Sequence, residues 1–346
     1  MKQSNVAQAF DYTLPEVRIA QTPPAVRGGS RLLVLDRQTQ AMHDDWYKHL
    51  SHYIQTGDVI VINETRVIPA RLVATTATGG KRELFLTERH QGPLLSSIGR
   101  VLYRGKLRAG DILQVGDDSL EVLDVLGDGE AQVRATVPLV VLAERAGKTP
   151  LPPYIRRAAD LADKERYQTV FARKDGSVAA PTASLNLTDK ILHSLTERGA
   201  IIVKLTLHVG RGTFLPIRTR SIEEHVMHKE YYSIPVKTLR AIRDAKNHNR
   251  RVVAIGTTVT RALEHAADQV LGGDEALIRD EADIFIYPGY EFRVVDALLT
   301  NFHAPDSTVL QLAAAFAGSA LLKQAYDHAL EGDYRFLSYG DSMFIS

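Results

Sequence analysis

The chain changes texture near residue 153, and that switch constrains its fold more than any other feature. From Arg71 to about Pro153, short apolar and β-branched runs are broken by closely spaced turns. "RLVATTATGGKRELFLTE" gives two strand-like runs around Gly79-Gly80, a hairpin signal. "GDILQVGDDSLEVLDVLGDGEAQVRATV" continues in the same style, with Gly-Asp turns between short strands. Such spacing predicts a small β-barrel. "KTPLPPYIRR" then ends it, because clustered prolines exclude continuous helix and central strand.

Beyond the prolines, helix and strand patterns alternate. "TDKILHSLTERG" starts a helix at Thr188 and Asp189, sets Ile191, Leu192 and Leu195 on one face, and stops at Gly199. "AIIVKLTLHVG", "RRVVAIG" and "ADIFIYPG" read as strands; "VKTLRAIRDAKNHN" and "TTVTRALEHAAD" read as helices. Alternation implies an α/β layer. The β-branched run "GDVIVIN" belongs to that layer although it precedes the barrel segment. The predicted architecture is therefore a mixed α/β main domain, residues 1–70 and 154–346, with a β-barrel inserted at 71–153.

The longest apolar run, "TVLQLAAAFAGSALL", is Ala-rich and carries Gln311, so a buried helix is expected rather than a membrane span. "MKQSNVAQAFDYTLPEVRIA" lacks the apolar run of a signal peptide. Cysteine is absent, which removes disulfides and thiolate chemistry and fits a reducing compartment. A cytoplasmic protein without membrane contact is expected, with a monomer as the working state.

Net charge is +1, so no dominant electrostatic partner is indicated, although a local basic face suffices for nucleic acid. Arg100, Arg104, Lys106 and Arg108 form one basic cluster, Arg156 and Arg157 another, and Arg211, Arg218 and Arg220 a third. Each is otherwise ordinary solvated surface.

Functional groups in α/β folds gather at the carboxyl ends of strands. "VINETRVIPARL" presents Asn63, Thr65 and Arg66 there; "LTLHVGRGTF" presents His208 and Gly210. "VVAIGTTVTRALE" offers Thr257, Thr258 and Arg261, and "LLTNFHAPDSTVLQL" offers Asn301 and His303. Singly, such residues serve more often as caps or satisfied core groups. In "HVMHKEYY", His225, His228 and Glu230 do not share a helical or strand face, which argues against a metal site.

Together the phrases resemble the S-adenosylmethionine:tRNA ribosyltransferase-isomerase family of the queuosine pathway. The resemblance runs from "FDYTLPEVRIAQTPP" and "SRLLVLDR" through "NETRVIPARL", "LPPYIRR", "GSVAAPTA", "LHVGRGTF" and "IYPGYEFRVVDALLTNFHAPDST" to "YRFLSYGDSMFI". It covers nearly the whole chain in family order. It implies an α/β domain with an inserted barrel and no metal or redox cofactor. It also implies transfer and isomerisation of the ribosyl group of S-adenosylmethionine onto 7-aminomethyl-7-deazaguanine at the tRNA wobble position. Epoxyqueuosine forms; adenine and methionine leave. The partner is then the anticodon loop of a tRNA.

Within that resemblance, "GSVAAPTASLNLT" is the expected ligand-lining phrase. Small residues admit a ligand, Ser177, Thr182 and Ser184 offer neutral hydrogen bonds beside Pro181, and Asn186 is expected to face the substrate. Family members usually read "PTAGLHFT" here, so Ser184, Asn186 and Leu187 are departures, as is Arg211 further on. Asparagine cannot carry a proton near neutral pH, so if the family histidine does, His208 or His303 is the candidate to replace it here. His303, Glu230 and Asp341 are the candidate bases for the attacking amine. Asn301 or Arg261 could assist departing adenine, and Arg66 or Arg156 could hold the methionine carboxylate or a tRNA phosphate. Tyr154, Tyr167 and Tyr339 are candidates to stack on the target base, against a reading as core tyrosines. Two alternatives stay open: a different base acceptor, or a tRNA-binding protein without catalysis.

Overall fold

A computed structural model describes residues 10, 12–87, 96–127, 129–210, 224–225 and 227–346. Its centre is a nine-stranded sheet. Chain order gives β1 (Arg31–Leu35), β2 (Met42–Trp46) and β3 (Val59–Asn63), then a short β4 (Thr65–Val67) that leaves the sheet. After the barrel come β11 (Lys174–Ser177), α3 (Asp189–Glu197), β12 (Ile201–Leu207) and β13 (Glu230–Ile234). Next are α4 (Val236–Asn247), β14 (Val252–Ile255), α5 (Thr257–His265), α6 (Ala267–Leu271) and β15 (Ile278–Ala282). The chain closes with β16 (Ala297–Asn301), α7 (Thr308–Ala317), α8 (Ser319–Glu331) and β17 (Ser342–Ile345). The sheet order is β15-β13-β12-β3-β14-β16-β17-β1-β2.

The strands β12, β3, β14 and β16 pair in parallel, so their carboxyl ends lie along one edge. β17 runs antiparallel to β16 with Asn301 opposite Ser342, which brings the segment before β17 to that same edge. Both faces of this sheet are covered, which is why β3 reads as an unbroken apolar run rather than an alternating one. Val59 and Val61 pack into the cluster with α4, α5 and α7, while Ile60 and Ile62 pack with Tyr47, Leu50 and α3 on the other face. Strand period alone sets that division.

The inserted segment forms a closed six-stranded barrel, β10-β7-β6-β5-β8-β9. Its strands are β5 (Arg71–Thr76), β6 (Lys81–Leu86), β7 (Ile98–Arg104), β8 (Ile112–Val115), β9 (Asp118–Gly127) and β10 (Glu130–Ala135). The β5–β6 hairpin turns at Gly79, whose φ of +83° suits glycine. Leu72, Leu84, Val101, Leu113 and Val133 fill the interior, and helix α1 (Leu139–Ala146) adds Leu142. A capped helix α2 (Leu161–Arg166) follows the proline-rich connection; Asp160 and Asp163 form its capping box.

Two expectations change. The run "TVLQLAAAFAGSALL" is not one helix: Gly318, at φ +84°, ends α7 and caps the start of α8. "ADIFIYPG" is not a strand beyond Ala282, because its partner β13 pairs Glu230 with Ala282 and extends no further. Among the described residues, no helix is long and apolar enough to cross a membrane.

Candidate active site

At the shared edge of β12, β3, β14 and β16 lies a cavity of about 250 Å³. Gly256, Thr257 and Thr258 reach it from the end of β14, Thr300, Asn301 and His303 from β16, and Val209 from β12. Ala180 to Ala183, Tyr154, Leu337 and Ser338 complete its lining from outside those strands. Among the described residues its lining carries no Asp, Glu, Lys or Arg. Its polarity comes from hydroxyls, an amide, an imidazole and peptide groups.

Helix α5 brings a fixed positive end to the cavity. Its N-cap is Gly256, at φ +97°, and no side chain caps it. The first intrahelical donor is Thr260 N, to Gly256 O, so the N–H groups of Thr257 to Val259 have no intrahelical acceptor. Uncapped N–H groups with the helix dipole behind them favour an anionic group. α7 also begins at the cavity, but Ser307 Oγ accepts from Leu310 N and tempers that end.

His303 is held by its backbone. Its N–H donates to the Tyr326 hydroxyl at 2.8 Å, and its carbonyl accepts from the Tyr12 hydroxyl. The ring is left to one side-chain partner, Thr300 Oγ1, 2.8 Å from Nε2. Burial drives its pKa down to about 3, so the ring is neutral at physiological pH. Tyr154 donates or accepts with Ser338 Oγ at 2.6 Å, and burial raises its phenol above the usual range. Asn301 Nδ2 donates to Asp341 O at 3.3 Å.

Behind the cavity stands a rigid wall. Asn63 bridges β3 and β12: Nδ2 donates to Leu207 O at 2.9 Å, and Oδ1 accepts from Leu207 N and Thr65 N. Thr65 Oγ1 lies 2.8 Å from His208 Nδ1. Ser177 Oγ donates to Ala179 O and accepts from Val209 N, tying the phrase at 176–188 to the end of β12. Glu230 and Arg261 form a buried ion pair at 2.5 Å, and the second Glu230 oxygen accepts from Gly210 N at 2.9 Å.

The cavity therefore gathers His303, Asn301, Thr257, Tyr154, Pro181 and Thr182 of the expected residues. His208, Thr65, Asn63, Ser177, Gly210, Glu230 and Arg261 form its supporting wall instead of lining it. Asp341 is a clamp: its two oxygens accept from Arg31 N and Arg335 N at 2.7 Å each, and burial raises its pKa against those bonds. Tyr339 donates to Asp163 and packs edge-on against Tyr167, so both are core tyrosines. Arg66 lies 3.9 Å from Asp175, and Arg156 pairs with Glu16; neither reaches the cavity.

Ser184 and Asn186 are buried and lie off the cavity lining. The reason is geometric: Thr182–Ser184 is a single 3-10 turn, which directs only its leading residues outward and sends Leu185 and Leu187 into the core. Arg211, Arg218 and Arg220 lie outside the described residues. Ser338 and Thr300 were not singled out by sequence. Ser338 follows Leu337, whose φ of +71° turns the backbone so that serine, not the more conspicuous Tyr339, meets the cavity. No local sequence signal marks that turn.

Three comparisons bear on this geometry. A family model described as queuosine biosynthesis protein matches residues 7–345. The S-adenosylmethionine:tRNA ribosyltransferase-isomerase of Chlorobaculum parvum is 55% identical over 341 residues, covering 98% of this chain and 99% of that protein. The protein of the same name from Natranaerobius thermophilus is 44% identical over 348 residues, covering 98% of each chain. The crystal structure of S-adenosylmethionine tRNA ribosyltransferase from Thermotoga maritima is similar in fold, with a TM-score of 0.57 and 33% identity. That match covers 98% of this chain and 100% of the other.

Proposed function

The chain belongs to the queuosine biosynthesis protein family, and on that footing we propose that it is an S-adenosylmethionine:tRNA ribosyltransferase-isomerase working in the strand-end cavity. The ribosyl group of S-adenosylmethionine passes to the amine of 7-aminomethyl-7-deazaguanine at the wobble position and rearranges to epoxyqueuosine. Adenine and methionine leave. The observation that supports this reading is the uncharged cavity beside an uncapped helix start. A nucleoside is neutral and polar, and no cationic side chain among the described residues opposes a sulfonium there. The sulfonium already carries positive charge, so methionine departs readily.

The residues then divide the work. The α5 N–H groups hold the methionine carboxylate, in place of Arg66 or Arg156. Thr257, Thr182 and Asn301 give the nucleoside neutral hydrogen bonds. His303 enters uncharged and accepts a hydrogen bond from the attacking amine, while Thr300 orients its ring. Tyr154 stacks on the incoming base at the cavity wall. The exposed Arg104, with Lys106 and Arg108 nearby, offers phosphate contacts to the tRNA from the barrel, without reading sequence. The reaction partners place the protein in the cytoplasm.

Incubation with S-adenosylmethionine and tRNA bearing the aminomethyl base, followed by nucleoside mass analysis, tests this. Release of adenine together with a mass shift at the wobble nucleoside is expected. Failure to observe both would overturn the reading; adenine release with the shift on another base would redirect it to a different acceptor.

A further inference from the structure

At the far edge of the large sheet, three metal-ligand side chains gather. Asp45 lies in β2, and His49 and His52 follow on the 3-10 turn Tyr47–Tyr53. One donor atom from each lies within 4.8 Å of the other two. The turn type explains the meeting, because residues three apart eclipse in a 3-10 helix. The two imidazoles stack at 5.2 Å between centroids and 16° between planes. Asp45 Oδ1 is 2.6 Å from His49 Nδ1, and the Tyr53 hydroxyl donates to Oδ2 at 2.6 Å. The Trp46 N–H also donates to Asp45 Oδ1, at 2.8 Å, so the carboxylate is held in place from three sides. The cavity chemistry does not use this cluster: β17 and β1 separate β2 from β16, about 14 Å of sheet.

We propose that Asp45, His49 and His52 form a surface site for a divalent transition metal of the zinc–nickel class, with water completing its coordination. Two imidazoles and one carboxylate suit such ions, whereas magnesium and calcium favour all-oxygen sets. His52 is exposed and turns out of its stack to aim a lone pair at the ion. Asp45 and His49 exchange their mutual hydrogen bond for shared ligation, and the Tyr53 hydroxyl keeps the carboxylate oriented. The ion clips the edge strand to the turn that follows it. That turn is also fastened to the cavity wall, since the Tyr47 hydroxyl donates to Ala183 O at 2.7 Å.

Trp46, the single tryptophan of the chain, adjoins Asp45 and reports on the site. Titration of the tag-free full-length protein with Ni²⁺ is expected to quench Trp46 fluorescence saturably in the micromolar range, and Zn²⁺ to reverse it. His52→Ala and His49→Ala, both at partly or fully exposed positions, are each expected to weaken Ni²⁺ binding by about tenfold or more with unchanged circular dichroism. Quenching that rises without saturation, or that is the same in wild type and both variants, would overturn the proposal. Failure of Zn²⁺ to displace Ni²⁺ would do so as well.

Discussion

The imidazole of His208 lies against the backbone of Gly176, so close that a Cβ at position 176 would stand 2.8 Å from Nε2. Gly176 has φ +143°, a conformation that side chains disfavour. Two constraints thus meet at one glycine: the first residue of the cavity-lining phrase and the ring bonded to Thr65 fit only without a side chain.

Gly176→Ala should therefore lower stability by about 1–3 kcal/mol through strain and displacement of His208. Turnover should fall with it, because His208 supports the wall from which Val209 and Ala179 extend. Urea unfolding and a turnover assay under stabilising conditions would check this; a variant matching wild type in both would show that the wall yields freely.

The buried Arg261–Glu230 pair makes a sharper stability prediction. Arg261→Met leaves a carboxylate 1% exposed without its ion partner, and such losses cost about 3–5 kcal/mol. The double variant Arg261→Met, Glu230→Leu should recover much of that loss. Denaturant midpoints of the three proteins give the comparison, and equal midpoints for both variants would deny the coupling.

His303→Ala should reduce turnover by about a hundredfold, with the melting temperature nearly unchanged. The two hydrogen bonds that fix residue 303 are backbone bonds and survive the substitution. Steady-state kinetics beside a thermal melt would decide; wild-type turnover would end the role of His303 at the attacking amine.

The same histidine carries a pH signature. Burial lowers its pKa from 6.5 to about 3, so between those values the unfolded chain binds a proton that the folded chain refuses. Its contribution is complete above pH 6.5 and is lost as pH falls towards 3. His303→Gln should flatten the decline of stability with acidity over that window, read from unfolding curves at several pH values. An unchanged slope would show that another group governs it.

Asn186 stands where family members usually have histidine, yet it is buried and off the cavity lining. Asn186→His should accordingly lower the melting temperature and add no inflection to the pH profile of turnover near neutrality. A faster enzyme with a new limb near pH 6–7 would instead place proton transfer at that position.

Much of this organisation was legible in the residues. Turn spacing from Arg71 onwards announced the barrel, and the alternation after Pro153 announced the α/β layer, because both patterns are local and periodic. "GDVIVIN" showed its place by an unbroken apolar run, which only a strand covered on both faces requires. The location of the cavity at the strand ends followed from the parallel topology. Chemistry-bearing residue types were less informative. Glu230 and Asp341 look like catalytic groups in sequence, and Asn63 and Arg261 like substrate-binding ones, but each is occupied in holding backbone or another side chain.

What the sequence determined by itself was the set of elements, their order and the family, since those rest on periodicities and phrases contained within short windows. What only the tertiary structure decided was which polar groups remain free to meet a ligand. That choice depends on partners far away in sequence: Asp341 takes up Arg31 N across 310 positions, and Tyr12 fixes the carbonyl of His303 across 291. A side chain's chemistry is set by the hydrogen bonds it already makes, and those are settled only when the sheet edge, the phrase at 176–188 and the loop before β17 close around the same cavity.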